Sequence, residues 1–363
     1  MKKIMLIFGT RPEAIKLCPL IKELSSRKEI KAVVCVTGQH REMLDSVLTA
    51  FSVRPDYDLD IMKNGQTLFD VTEGVLTRLR AILEKEQPDI ALVHGDTTTA
   101  FAAALACFYM KIPIGHVEAG LRTYDVYSPF PEEFNRRAIS LVAKYNFTPS
   151  ELAKANLLRE GCSPSSLFVT GNTAIDALRT TVRENYNHKA LDEAKGARII
   201  LTTLHRRESL GEPIKNVLCA LRQAVDERSD VRVIYPLHKN PAVRKIANEI
   251  LASHPRITLT EPLDVIDFHN LLARSYLVLT DSGGIQEEAP ALGKPVLVAR
   301  DKTERPEGVS AGTLALVGTN KKSVYEELCR LLDDKSAYDA MAKAVNPYGD
   351  GFASKRITDI LLK

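Results

Sequence analysis

Apolar residues along the chain fall into short β-rich runs that alternate with segments of helical period. Lys3 to Phe8 is a run of the first kind, stopped by Gly9. Thr10 to Glu13 then has the Ser/Thr-x-x-Glu pattern of a helix start, with Pro12 in the first turn. Ala32 to Val36 predicts a second strand, followed by a helix over Arg41 to Phe51 with Met43, Leu44, Val47 and Leu48 on one face. Leu68, Val71, Val75, Leu79, Ile82 and Leu83 recur at spacings of three and four, which predicts a long amphipathic helix that stops before Pro88. Ile90 to Val93 is the next strand. Its continuation through His94-Gly95-Asp96-Thr97-Thr98-Thr99 into an alanine-rich segment is again strand, polar loop, helix, and Ile112 to Val117 returns as a strand before Glu118-Ala119-Gly120. The second half repeats this grammar. Strands are predicted at Ile199 to Thr203, Val231 to Tyr235, Ile257 to Leu259, Leu277 to Thr280 and Pro295 to Ala299, separated by helical patterns such as Ile214 to Glu227 and Val265 to Ala273.

Strand and helix alternating in this way imply an α/β fold with parallel sheets covered on both faces. With 363 residues, the chain is long enough for two such domains. The boundary is expected near residue 170, giving an N-terminal domain over 1–170, a C-terminal domain over 171–345 and a final helical segment at Phe352 to Leu362 within 346–363. Hydrophobic residues make up 45% and charged residues 26%, which excludes disorder as the main theme. The charges, 49 basic against 46 acidic, nearly balance without a basic block, so neither nucleic acid nor a membrane surface is an expected partner. Any anionic ligand must be held by a local site. Six scattered cysteines form no CxxC pair and read as buried reduced thiols. The N-terminus lacks the features of a signal peptide and the longest apolar stretch, Ala100 to Met110, is too short for a bilayer, so the expected location is the cytoplasm.

Ligands of open parallel sheets bind beyond the carboxyl ends of the strands, where loops and helix starts present backbone N–H groups. That rule singles out a small set of residues. After the first strand, Arg11 and Lys16 could face an anion, or could be solvated cations on a capped helix. Thr280-Asp281-Ser282-Gly283-Gly284-Ile285-Gln286-Glu287-Glu288 is a candidate diphosphate cradle: paired glycines admit phosphate oxygens to the backbone, Ser282 adds a hydroxyl, and Glu288 could meet a ribose. The alternative is a tight turn, and no G-x-G-x-x-G or Walker lysine supports a nicotinamide or ATP site. Asp96, Glu118 and Glu132 are acidic residues at strand ends, either an acid/base set or helix caps and ion-pair partners. His205, in Leu204-His205-Arg206-Arg207-Glu208, is a candidate phosphate contact or proton carrier, and His238 repeats its placement.

Eight segments in order resemble the non-hydrolysing UDP-N-acetylglucosamine 2-epimerases over essentially the whole chain. They are Gly9-Thr10-Arg11-Pro12-Glu13, His94-Gly95-Asp96-Thr97, His116 to Arg122, Pro131-Glu132-Glu133, His205-Arg206-Arg207-Glu208, Asp281 to Glu288, Thr303 to Gly308, and Asn346 to Gly351. The resemblance implies a GT-B architecture: two Rossmann-like domains, a nucleotide sugar in a central interdomain cleft and a C-terminal helix returning to the first domain. It implies interconversion of UDP-GlcNAc and UDP-ManNAc through elimination of UDP to 2-acetamidoglucal and re-addition, without cofactor or metal, in a homodimer. By the same resemblance Asp96, Glu118, Glu132 and His205 are the catalytic set. Arg11, Lys16, Arg136, Ser282, Gly283, Gly284 and Arg305 correspond to substrate and diphosphate contacts, Glu288 to the ribose contact and Phe268 to the uracil side. Some bacterial members bind a second, activating UDP-GlcNAc. Gln39, Glu132, Arg206 and His238 match that pattern, whereas Glu42 replaces a glutamine and Gly65 an arginine. A hydrolysing epimerase releasing ManNAc and a GT-B glycosyltransferase are the competing readings.

Overall fold

Two parallel sheets organise the chain. The first contains Lys2–Phe8 (β1), Ile30–Val36 (β2), Tyr57–Asp58 (β3), Ile90–His94 (β4), Ile114–Val117 (β5), Tyr145–Thr148 (β6) and Leu167–Val169 (β7), in the order β3-β2-β1-β4-β5-β6-β7. The second contains Arg198–Thr203 (β8), Val231–Pro236 (β9), Ile257–Thr260 (β10), Leu277–Thr280 (β11), Val296–Val298 (β12) and Leu314–Leu316 (β13), in the order β10-β9-β8-β11-β12-β13. Both have the doubly wound Rossmann order, in which the connections reverse direction between the first strand and the fourth. The computed structural model describes residues 1–38, 41–63, 65–206 and 210–363.

Continuous apolar strands are what a sheet covered on both faces requires. Ile4 to Phe8 and Ala91 to Val93 are fully buried, and the helix Leu68–Glu86 packs Val71, Val75, Leu79 and Leu83 against that sheet. The second core is built alike, with the helix Glu212–Asp226 contributing Ile214, Val217, Leu218 and Leu221. Several edges differ from expectation. The strand predicted from Ile112 begins at Ile114, because Pro113 has no N–H for the ladder and its carbonyl instead accepts from Ala91. Of the six free cysteines, Cys18, Cys35 and Cys107 are buried as expected, while Cys162, Cys219 and Cys329 are partly exposed.

The chain divides into one compact unit of Met1–Thr180 with Tyr348–Lys363, and a second of Thr181–Pro347. The division lies ten residues beyond the expected point because the helix Thr173–Thr181 packs with the first unit: Ala174 and Ala177 are buried, and Asp176 accepts from the Ser354 N–H of the terminal helix Ala353–Leu362.

Candidate active site

Within the first unit, the loops after β1, β4 and β5 are stitched together at the point where the strand order reverses. Glu13, 1% exposed, accepts from the N–H groups of Gly9 and Thr10 at 3.0 and 2.8 Å and from the Thr97 hydroxyl at 2.7 Å. Burial raises its pKa, and these donors offset part of that rise. Thr97 in turn caps the helix Thr98–Tyr109 by accepting from Ala100 N–H at 3.0 Å.

Beyond β4 lies Asp96, whose carboxylate meets Arg136 Nη2 at 2.6 Å. Arg136 stands one turn into the helix Glu132–Val142, and its neighbour Asn135 donates to the Asp96 carbonyl at 2.9 Å. Although 27% of the Asp96 side chain still meets solvent, protein surrounds the carboxyl closely enough that desolvation raises its pKa; Arg136 lowers it, and Glu118 and Glu132 push it up again. The adjacent glutamates of that helix divide their roles. Glu133 is fully buried and holds the preceding loop by accepting from Thr123 and Tyr124 N–H at 3.0 and 3.1 Å, while Glu132 remains half-buried in the field of Asp96.

Beyond β5 lies Glu118, at φ +63, the left-handed region that costs a side-chain-bearing residue about 1 kcal/mol or more. Its carboxylate accepts from Lys16 Nζ and, at 2.9 Å, from Asn172 Nδ2, with His94 Nε2 3.6 Å away. Burial, aided by Lys16 and opposed by Glu118, pushes His94 down to about 4, so its imidazole is neutral at physiological pH. Lys16 is therefore engaged with a carboxylate, and Arg11 opens the helix Arg11–Ser25 half-buried. Asn172 and His94 were not among the expected site residues.

In the second unit the corresponding reversal lies between β8 and β11. Asp281, fully buried, accepts at 2.8 Å from both His205 N–H and Arg206 N–H, and its other oxygen is 3.4 Å from His205 Nδ1. The His205 ring lies on that of His238, centroids 5.3 Å apart at 16°. Burial lowers the His205 pKa; Asp281 raises it, and His238 and Arg206 lower it further. A carboxylate anchor fixing a histidine loop predicts that Asp281→Ala leaves two partly buried donors unpaired. The unit's unfolding free energy is expected to fall by about 3 kcal/mol in denaturant titration, with His205 no longer held.

Ser282, Gly283 and Gly284 lead into the short helix Ile285–Ala291. A Cβ on Gly283 would lie 3.3 Å from Arg305 Nη1 and 3.7 Å from Arg206 Nη2, so two guanidinium groups overhang the bare backbone. Arg305 is held by the buried Glu287 at 2.8 Å, and Arg206 lies 3.7 Å from Glu304. Burial opposes ionisation of Glu304, yet the Arg300 hydrogen bonds win and hold it down at about 2. Glu288 is 3.6 Å from His269 Nε2, and Phe268, half-buried, packs on the core beside it. The structure thus brings His205, His238, Arg206, Arg305 and Gly283 into one neighbourhood, and Lys16, Asp96, Glu118, Glu132 and Arg136 into another. Gln39 lies outside the described residues.

The sequence pattern of the UDP-N-acetylglucosamine 2-epimerase family matches residues 22–362. A Bacillus subtilis protein named UDP-N-acetylglucosamine 2-epimerase is 56% identical over 360 residues, covering 99% of this chain and 95% of that protein. A crystal structure from Listeria monocytogenes is similar with a TM-score of 0.95 and 55% identity, covering 99% of this chain and 96% of that one. The UDP-GlcNAc 2-epimerase of Neisseria meningitidis, solved bound to UDP-GlcNAc, gives a TM-score of 0.90 at 47% identity and 99% coverage of both chains. A glycosyltransferase of kitacinnamycin, 12% identical with a TM-score of 0.68 over 99% of this chain and 98% of that one, shares the fold alone, the GT-B class.

Proposed function

The chain belongs to the UDP-N-acetylglucosamine 2-epimerase family and is an isomerase of that class; from this premise we propose that it interconverts UDP-GlcNAc and UDP-ManNAc by eliminating UDP and adding it back. C2 of the sugar has no adjacent carbonyl to stabilise a carbanion, so proton removal alone is too costly. Elimination avoids the problem. A carboxylate takes the C2 proton, the C–H electron pair becomes the C1=C2 double bond, and the C1–O pair leaves with the β-phosphate. The products, 2-acetamidoglucal and UDP, then recombine: a phosphate oxygen attacks C1 while a proton reaches the opposite face of C2.

In this reading Asp96, Glu118 and Glu132 handle the two C2 protons. In the second unit His205, Ser282 to Gly284, Arg206 and Arg305 meet the charge that builds on the departing diphosphate, and in the first Arg11, Lys16 and Arg136 are the cations assigned to substrate contact. Glu288 takes the ribose hydroxyls and Phe268 the uracil side. The supporting observation is the pair of carboxylates Asp96 and Glu118, at the ends of adjacent strands, each with its own cation, Arg136 and Lys16. Among the described residues no helix is long and apolar enough to cross a membrane; a cytoplasmic homodimer is part of the proposal.

Incubation with UDP-GlcNAc alone in deuterated water tests the chemistry. Deuterium is expected at C2 of both epimers, read by NMR, with the UDP-sugar total conserved. Net conversion to free ManNAc would identify a hydrolysing enzyme, and unexchanged UDP-GlcNAc a transferase awaiting an acceptor.

A further inference from the structure

Asn172 is 2% exposed and uses three of its polar groups on three different parts of the first unit. Its side-chain amide donates to Glu118 Oε2 at 2.9 Å, its Oδ1 accepts from Ala174 N–H at 2.9 Å to start the helix Thr173–Thr181, and its backbone N–H donates to the Tyr348 carbonyl at 2.7 Å. The last contact belongs to a close crossing of two segments. A Cβ on Gly171 would meet Gly349 Cα and the Tyr348 carbonyl oxygen, both at 3.3 Å. Arg356 Nη1 donates to the Thr170 carbonyl at 3.1 Å, and Arg179 Nη1 to the Gly351 carbonyl at 3.2 Å. Residues 170–180 lead out of the first unit, and Tyr348 is where the chain returns to it.

We propose that Asn172 is a positioning residue for Glu118, fixing the direction of its carboxylate from the crossing of the outgoing and returning segments. This rests on the reading of Glu118 as a catalytic group. Lys16 and Asn172 address the same oxygen of Glu118 but differ in kind. An ammonium on a four-carbon stem supplies charge with little directional demand, whereas a planar amide locked by its own helix cap supplies direction. Glu118 sits in a strained left-handed turn, where the orientation of its carboxylate depends on such outside partners. A displacement of about 1 Å at a reacting group costs on the order of a hundredfold in rate.

Asn172→Asp is the informative variant. It is isosteric and keeps the Oδ1 acceptor and the backbone bond, but puts an anion where Glu118 had a donor. The expected result is a kcat lower by about a hundredfold with UDP affinity within about twofold. The acid limb of the kcat/KM profile should move to higher pH, because a neighbouring negative charge makes the Glu118 carboxylate harder to form. Asn172→Ser, which removes the donor without adding charge, should lose kcat with a smaller displacement of that limb. Gly171→Ala, which forces the crossing apart, should slow wild type but add little in the Asn172→Asp background, since both act through one contact. Near-wild-type kcat and an unmoved pH profile in both Asn172 variants would overturn the proposal, as would a fall in melting temperature alone. Glu118→Gln separates the premise. If that variant is inactive while Asn172→Asp turns over normally, only the positioning role fails; if Glu118→Gln itself is active, the reading of Glu118 fails first.

Discussion

Exchange of Glu118 for glutamine is expected to lower kcat by about a thousandfold, with UDP affinity unchanged within about threefold. The amide keeps the volume and can still face Asn172, but it can neither take nor return a proton. Of the groups proposed to hold UDP, Ser282 to Gly284 and Arg305 belong to a different unit and keep their own anchors at Glu287 and Thr280. Asp96→Asn should have a comparable effect and a pH signature. Desolvation first, then Glu118 and Glu132, raise the Asp96 carboxyl against the pull of Arg136. A base must be unprotonated to act, so wild-type kcat/KM should fall as pH drops through a value above the ordinary carboxylate range, and the residual activity of Asp96→Asn should lack that limb. Steady-state kinetics from pH 5 to 9, with calorimetric titration of UDP, provide the check. A Glu118→Gln enzyme within about tenfold of wild type would remove Glu118 from the chemistry.

How much of this could be read from the residues depended on the range of the interaction concerned. Strands such as Lys2–Phe8 announce themselves because Ile4 to Phe8 are buried on both faces and uniformly apolar. Tyr145–Thr148 does not: it is four residues long, and its buried members include Asn146 and Thr148. The loops that carry Asp96, Glu118, His205 and Ser282 were legible because a strand followed by a polar, glycine-bearing turn marks the carboxyl edge of a parallel sheet. The partners were not. Asn172 contacts a carboxylate 54 positions earlier, and Asp281 receives the His205 N–H from 76 positions away, separations that leave no periodic trace. Glu132 and Glu133 are chemically identical neighbours, and only the fold turns one inward onto Thr123 and Tyr124. The left-handed backbone of Glu118 was hidden for a different reason: glutamate carries none of the local preference by which glycine betrays such a turn.

The same turn yields the largest expected effect on stability, at Gly120. Its φ is +90, and a Cβ there would lie 2.3 Å from the Ala153 carbonyl oxygen and 2.8 Å from the Ala153 carbonyl carbon. These are backbone atoms, so no rotamer change relieves the overlap. They belong to the helix Glu151–Arg159, fixed at its start by Ser150 accepting from Ala153 N–H at 3.2 Å and at its middle by Asn156 donating to the Gly120 carbonyl at 3.0 Å. Leu157 of that helix packs with Ala119 and Leu167, so moving the helix away opens a core that is otherwise filled. Gly120→Ala therefore combines the left-handed penalty, about 1 to 2 kcal/mol, with an overpacking cost of about 3 kcal/mol. Calorimetry should show the transition of the first unit lowered by about 10 °C. Gly161→Ala supplies the control. Gly161 has φ +85 just beyond the same helix, but nothing lies within 4 Å of its Cβ position, so only the backbone term of about 1 to 2 kcal/mol applies. Equal melting temperatures for the two variants would show that the helix yields freely. A large gap between them, with loss of turnover in the folded Gly120→Ala protein, would show that the packing of this helix holds the backbone on which Glu118 stands.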